Sequence, residues 1–168
     1  MLDIKILEEC VGSLYVNSTS GEQCTEELID VKETEPNSRK KALKAYKAAT
    51  KPVRAFDSLG LINYWLRESG MSEVSSIKTL KNRCKILISK SLVDVKHEEV
   101  LQVGDYLFRY SLDRDKRKNY HHVGVYIGGG MVIHAKSRAE GVVCEHIEAN
   151  SENYWMEAYR MKDKIRED

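Results

Sequence analysis

The chain has 168 residues, and its 27 basic and 26 acidic side chains leave a formal charge of +1. That length suits one domain over residues 1–168, and the balanced charge sets up no global field toward nucleic acid or a membrane surface. No apolar run approaches a membrane span, and the opening Met1-Leu-Asp-Ile-Lys-Ile-Leu-Glu-Glu9 lacks the charged-then-apolar order of a signal peptide, so neither membrane insertion nor Sec export is expected.

In chain order, a first helix is predicted over residues 2–11. The stretch from Gly12 to Gly21 is rich in turn formers and reads as loop. Thr25 can cap a second helix whose first turn carries Glu26 and Glu27, matching the positive end of the dipole. Pro36-Asn37-Ser38 breaks it, and a basic helix follows with Arg39, Lys40, Lys41, Lys44 and Lys47, then Lys51 and Arg54. This basic stretch contains no acid. A solvated helix face is its ordinary reading, and a local patch for a polyanion is its functional one.

Asp57 is a good N-cap for the next helix; Leu59, Ile62 and Leu66 recur at helical spacing, and Gly70 is a natural stop. Ser58 then sits in the first turn, among unpaired backbone N–H groups. A further helix is expected near residues 74–87. From Leu101 the apolar period changes to two, giving a strand over 105–110, a charged loop over 111–119, a glycine-centred hairpin, a strand over 141–147 and a last strand including 158–161. Helices followed by antiparallel strands make an α+β domain. The four cysteines, Cys10, Cys24, Cys84 and Cys144, show neither a CxxC pair nor zinc-ligand spacing, and read as reduced thiols.

The hairpin carries the chemistry. In His122-Val-Gly-Val-Tyr-Ile-Gly128-Gly-Gly-Met-Val-Ile-His134 the two histidines lie equally far from Gly128. Counting outward from that glycine sets both imidazoles at one height on adjacent strands, with Cβ atoms roughly 5 Å apart. Two rings so placed suit a base and the group that orients it. A nucleophile would sit best at a helix N-terminus, where the dipole stabilises a thiolate. The chain has such a helix start, with Ser58 on it. His121 faces away from His122 on the strand and reads as structural or exposed, and His97 as solvated.

With those residues in view, the sequence resembles the NlpC-type cell-wall peptidases, papain-like cysteine enzymes. The resemblance rests on Asp57-Ser-Leu-Gly-Leu61, Gly104-Asp105-Tyr-Leu-Phe, His122-Val-Gly-Val-Tyr-Ile-Gly128 and Ile133-His134-Ala135, in family order, with Tyr15 after Gly12 resembling an upstream active-site tyrosine. It implies a papain-like fold, N-terminal helices packed on a C-terminal antiparallel sheet. It also implies hydrolysis of an amide in peptidoglycan stem peptides, between γ-D-glutamate and a diamino acid. Position 58 is then the nucleophile, His122 the base and His134 its orienting partner. The N–H of residue 58 would help bind the oxyanion beside Tyr15, and Asp57 would meet an amino group of the stem peptide. No metal or other cofactor is expected, since a thiolate and an imidazole need no Lewis acid. The expected partners are stem peptides, with no nucleic acid, and the oligomeric state is not predicted.

Three departures qualify the resemblance. Ser58 stands where the family has cysteine, and Leu59 where it has serine. A helix dipole worth up to about 2 kcal/mol does not make a serine hydroxyl as acidic as a thiol, so the chain is expected to be nearly inactive. The serine is read as an engineered replacement, with a natural wall-peptide-binding pseudoenzyme second and a working serine nucleophile last. The third departure is the long stretch from Gln23 to Arg54, a candidate cleft wall. An amidase of the CHAP type, cutting the sugar–peptide amide, is the alternative activity. Cys144-Glu-His146 resembles a triplet of the lecithin:retinol acyltransferase relatives, but it alternates as a strand, so its side chains diverge. The missing export signal suggests a phage lysin or tail hydrolase, an element-encoded lytic enzyme or a domain of a longer protein, delivered by lysis or a dedicated secretion machine.

Overall fold

The computed structural model describes residues 2–88, 100–151 and 153–162. His97, expected to be solvated, lies outside the described residues. Two compact units emerge, one from the described residues within Met1–Glu73 and Ile133–Cys144, the other from those within Val74–Val132 and Glu145–Asp168.

In the first unit, Asp3 caps helix α1 (Ile4–Cys10) by accepting the Lys5 N–H, which starts the helix two residues later than its apolar pattern suggests. Thr25 caps α2 (Glu26–Lys32) through the Leu28 N–H, as expected. Pro36 does not merely end that helix. It opens α3 (Pro36–Ala48) at the first position, where its missing N–H costs nothing, and Glu35 caps α3 by accepting from Asn37 and Ser38.

The predicted loop over residues 12–21 contains two short strands, β1 (Leu14–Tyr15) and β2 (Ser20–Gln23), and both pair with β3 (Arg54–Phe56), which the pattern did not reveal. The order is β1-β3-β2, with β1 parallel and β2 antiparallel to the centre. Pieces of two to four residues have too little periodicity to be read; they exist because partners distant in sequence complete their hydrogen bonds.

Helix α4 (Ser58–Glu68) follows β3 directly and buries Leu61, Ile62, Trp65 and Leu66. Its C-terminus closes at Gly70, whose φ of +75° suits the left-handed turn, and Met71 N–H returns to the Leu66 carbonyl at 2.8 Å. Trp65 is fully buried, and its Nε1–H donates to the Asp3 carbonyl at 2.9 Å, fixing α4 to the start of α1. Leu14, Val16, Cys24, Ile29, Ala42 and Ala55 form the neighbouring core cluster.

The expected helix near 74–87 is shorter than its span. It occupies only α5 (Ile77–Asn82), after which Cys84–Ile88 forms β4, paired antiparallel with the last strand, β9 (Glu157–Met161). Strand β5 (Tyr106–Leu112) pairs antiparallel with β9 and with β6 (Lys118–Gly128). Strands β7 (Met131–Ser137) and β8 (Gly141–His146) complete a six-stranded sheet of order β4-β9-β5-β6-β7-β8. The α+β class with helices first and an antiparallel sheet afterwards is therefore as the pattern implied.

The core of the second unit gathers Leu101, Leu107, Tyr126, Val132, Ile147, Trp155 and Ala158. Asp105, almost fully buried, accepts two 2.8 Å hydrogen bonds from the Arg160 guanidinium and one from the Gln102 N–H. The Gly104-Asp105 signature thus has a structural role in this unit.

The hairpin turns at Gly129 and Gly130, between the end of β6 at Gly128 and the start of β7 at Met131, and all three glycines have positive φ, +94°, +61° and +77°. Two successive residues at positive φ are what a tight hairpin turn requires.

Replacing Trp65 by Ala removes both a fully buried indole and its bond to Asp3. The expected loss is about 3–5 kcal/mol in denaturant unfolding, with the dependence on denaturant unchanged.

Candidate active site

The start of α4 is the most constrained part of the first unit. Asp57 caps the helix: Oδ1 accepts the Gly60 N–H at 2.6 Å, and Oδ2 accepts the Ser18 N–H at 2.8 Å. The Asp57 N–H in turn donates to the Thr19 carbonyl at 3.1 Å. Burial pushes the Asp57 carboxyl above its ordinary value, and the two N–H donors oppose that shift. Residues 16–20 form a strap over the helix start. Thr19 Oγ1 donates to Val16 O at 2.7 Å, and Ser20 Oγ donates to Gly60 O at 2.9 Å. A Cβ on Gly60 would lie 1.7 Å from the Thr19 carbonyl oxygen, so only glycine fits there.

Ser58 is the first residue of α4 and is 7% exposed. Its N–H belongs to the first turn, where helix amides have no partner within the helix and the dipole is positive. Tyr15 reaches the same region through the sheet, since it pairs with Phe56, the residue before Asp57. Burial raises the Tyr15 hydroxyl pKa, Asp57 adds to that, and the Arg138 guanidinium opposes it. Arg138 lies 5.1 Å from the Tyr15 ring centre and is held from behind by Glu33, which accepts from Nε and, at 3.0 Å, from the second guanidinium nitrogen. Glu33 is 1% exposed.

His134, on β7, belongs to the same unit and is fully buried. Four of the five expected site residues, Tyr15, Asp57, Ser58 and His134, thus lie in the first unit, and the short path β1–β3–α4 brings three of them together.

His122 belongs to the second unit. It sits on β6 opposite Arg109 of β5 and is 8% exposed. Its ring stacks on Trp155 with centres 5.6 Å apart and planes 20° apart, while Tyr154 meets it edge-on at 6.3 Å. Arg109 fixes that loop by donating to the Tyr154 carbonyl at 2.9 Å, with its guanidinium 3.7 Å from the Tyr154 ring centre. Packing against two aromatic rings restricts the imidazole to one orientation. The neighbouring His121 is exposed, and burial of its ring followed by Arg109 lowers its pKa.

Other candidate residues have structural roles. Cys144, Glu145 and His146 are successive residues of β8, so their side chains alternate. His146 Nδ1 accepts the Glu148 N–H at 3.1 Å and caps the short turn Ile147–Ala149. The four cysteines form no disulfide; Cys144 is exposed, the others buried. Among the described residues no cluster of three or more His, Cys, Asp or Glu side chains is placed to hold a metal ion. No helix among them is long and apolar enough to cross a membrane.

The sequence pattern did not reveal the Glu33–Arg138 pair, the Thr19 strap or the Trp155–Tyr154 support of His122. Glu33 and Arg138 are 105 residues apart, and no local spacing announces such a pair.

N-terminal helices, a capped helix start and a C-terminal antiparallel sheet define a papain-like architecture. The model of the NlpC/P60 family matches residues 43–163, and the chain belongs to that family, whose members are cysteine peptidases and peptidoglycan hydrolases. Solved structures share the fold. NlpC2 from Trichomonas vaginalis aligns over 94% of this chain and 44% of its own, at 16% identity and a TM-score of 0.58. The NlpC/p60 domain of the peptidoglycan hydrolase SagA aligns over 94% and 95%, at 17% identity and 0.56. The peptidoglycan hydrolase RipB from Mycobacterium tuberculosis aligns over 94% and 61%, at 15% identity and 0.53. The chain spans less than half the length of the Trichomonas protein. Among curated proteins none matches it.

Gly60→Ala forces the Thr19 strap off the helix start. It is expected to cost about 3 kcal/mol, read as a lowered thermal midpoint, whereas Gly129→Ala, with open space around its Cβ, pays only for its positive φ.

Proposed function

We propose that the chain is a stem-peptide hydrolase of the cysteine-peptidase type with serine at the nucleophile position, so that it binds wall peptides and cleaves them barely or not at all. The bond addressed is the amide between γ-D-glutamate and a diamino acid. The observation that carries this reading is Ser58 itself: a buried hydroxyl on the first residue of an Asp57-capped helix, where the motif resemblance implies the nucleophile.

In this reading the side chain of residue 58 attacks the amide carbon. Its proton passes to His122, held by Trp155, and His122 returns the proton to the departing amine. Water then attacks the acyl group, again giving its proton to His122, and the acid leaves as residue 58 regains its hydrogen. His134 orients the base, and the N–H of residue 58 stabilises the oxyanion, with Tyr15 lining that side. Asp57 meets the substrate's amino group; a carboxylate with two hydrogen bonds made retains further acceptor sites. With a serine the first proton transfer is the weak step, because the group to be deprotonated is so much less acidic than a thiol.

The test uses a Cys144→Ser background, which removes the exposed thiol. There, Ser58→Cys is expected to raise muropeptide hydrolysis about 100-fold or more, equal to about 2.7 kcal/mol of barrier, and iodoacetamide should abolish the gain. Adding His122→Ala should lose about 10²–10⁴-fold. A folded Ser58→Cys protein that gains nothing would overturn the hydrolase reading and leave a binder of wall peptides. Fragment masses showing a cut at the sugar–peptide amide would replace the endopeptidase by an amidase.

A further inference from the structure

The first unit contains an open cleft of about 670 Å³ that the reaction scheme above does not use. One wall is α3, presenting Ser38, Lys41, Lys44, Ala45 and Ala48. The other is the end of β7 and the turn after it, with Lys136, Ser137, Arg138 and Ala139, and Tyr15 lines the cleft as well. Four of the ten lining residues are cationic and none is acidic.

The cations are not equivalent. Arg138 is held by the buried Glu33, and Lys136 Nζ lies 3.5 Å from the half-exposed Glu140. Lys41 and Lys44 are exposed on a helix whose sequence, Pro36-Asn-Ser-Arg-Lys-Lys-Ala-Leu-Lys-Ala-Tyr-Lys-Ala48, has no acid to answer them. Glu35, at its start, caps the helix with both carboxylate oxygens engaged by the Asn37 and Ser38 N–H groups, and interacts with Lys41 only through its charge. Cations spaced three apart on a helix share one face. Here that exposed face lines an open concavity. The size suits a small peptide, and Tyr15 ties the cleft to the Phe56-Asp57-Ser58 run through its register with Phe56.

The first half of α3 also precedes the segment matched by the family model, which begins at residue 43. Lys41 therefore stands before that segment and Lys44 at its start.

We propose that the cleft is a carboxylate-binding subsite, in which Lys41 and Lys44 engage the free carboxylates of a stem peptide whose scissile amide lies toward Tyr15 and residue 58. The assignment of the ligand rests on the stem-peptide reading; the assignment of the cleft as a carboxylate site does not. Peptides whose carboxylates are amidated lose this contact. Because both ammonium groups are exposed, the discrimination is an electrostatic one that salt weakens.

The unmodified chain, which retains Ser58, can be titrated calorimetrically with L-alanyl-γ-D-glutamyl-diaminopimelate and with the same tripeptide amidated at its free carboxylates. The acidic peptide is expected to bind about tenfold tighter at about 0.01 M salt, and the ratio should fall toward one at about 0.15 M. Lys41→Gln with Lys44→Gln should reduce the preference to roughly threefold or less at unchanged thermal midpoint. Equal affinities at low salt, or a preference that survives the double substitution, would overturn the proposal. If neither peptide binds, tricarballylate decides the matter. Side-chain NMR shifts at Lys41 and Lys44 on adding it would uphold the carboxylate site while the stem-peptide reading falls, and no shift would overturn the site too.

Discussion

One close approach governs the start of α4 in the first unit: the Thr19 carbonyl lies against the Cα of Gly60 while accepting the Asp57 N–H. A side chain at position 60 would separate them. With glycine there, the strap and the helix start close on each other, and Asp57 joins them by accepting one N–H from each. Position 58 is thereby fixed by backbone contacts on both sides before any ligand arrives, which is the kind of preorganisation a nucleophile and an oxyanion site need. The same contacts explain why an aspartate precedes position 58: its carboxylate is a structural part of the helix start whatever else it meets.

Each unit also contains a carboxylate almost removed from water and answered by a cation. Glu33 holds Arg138 in the first; in the second, Asp105 holds Arg160, and Glu157 accepts from Lys118 at 2.7 Å and Tyr120 at 2.5 Å. Such pairs add little net stability over a well-packed apolar alternative, but losing one partner is costly. They therefore specify which strand or turn lies beside which. Arg138 illustrates the gain: held by Glu33, it is positioned over the Tyr15 ring.

What the sequence made legible follows from range. Asp57 as a cap, the apolar stripe of α4, Gly70 as its stop and the glycine turn of the hairpin are local signals, readable within a few residues. Strands β1, β2 and β3 were not readable, because two to four residues have no period and are strands only through their partners. Residues 84–88 show the same limit: their helix-like continuation gives way to β4 because β9 supplies a ladder. In the candidate site, the histidines, Ser58 and Tyr15 stood out because motif order and residue type mark them. Their supports, Trp155 behind His122 and Glu33 behind Arg138, come from distant segments and left no trace in spacing.

The first unit is closed by a segment that arrives late. Gly12 N–H donates to the Val142 carbonyl, Val142 N–H donates back to Ser13, both at 2.9 Å, and Arg138 reaches Glu33. During synthesis on a ribosome, residues 2–73 emerge long before 133–144, so they must wait without their β8 contacts and with Glu33 lacking its cation. Loops of more than a hundred residues are entropically slow to close. The helix start bearing position 58 can therefore form early, whereas the wall carrying Arg138 is added only once the strands between them have been made.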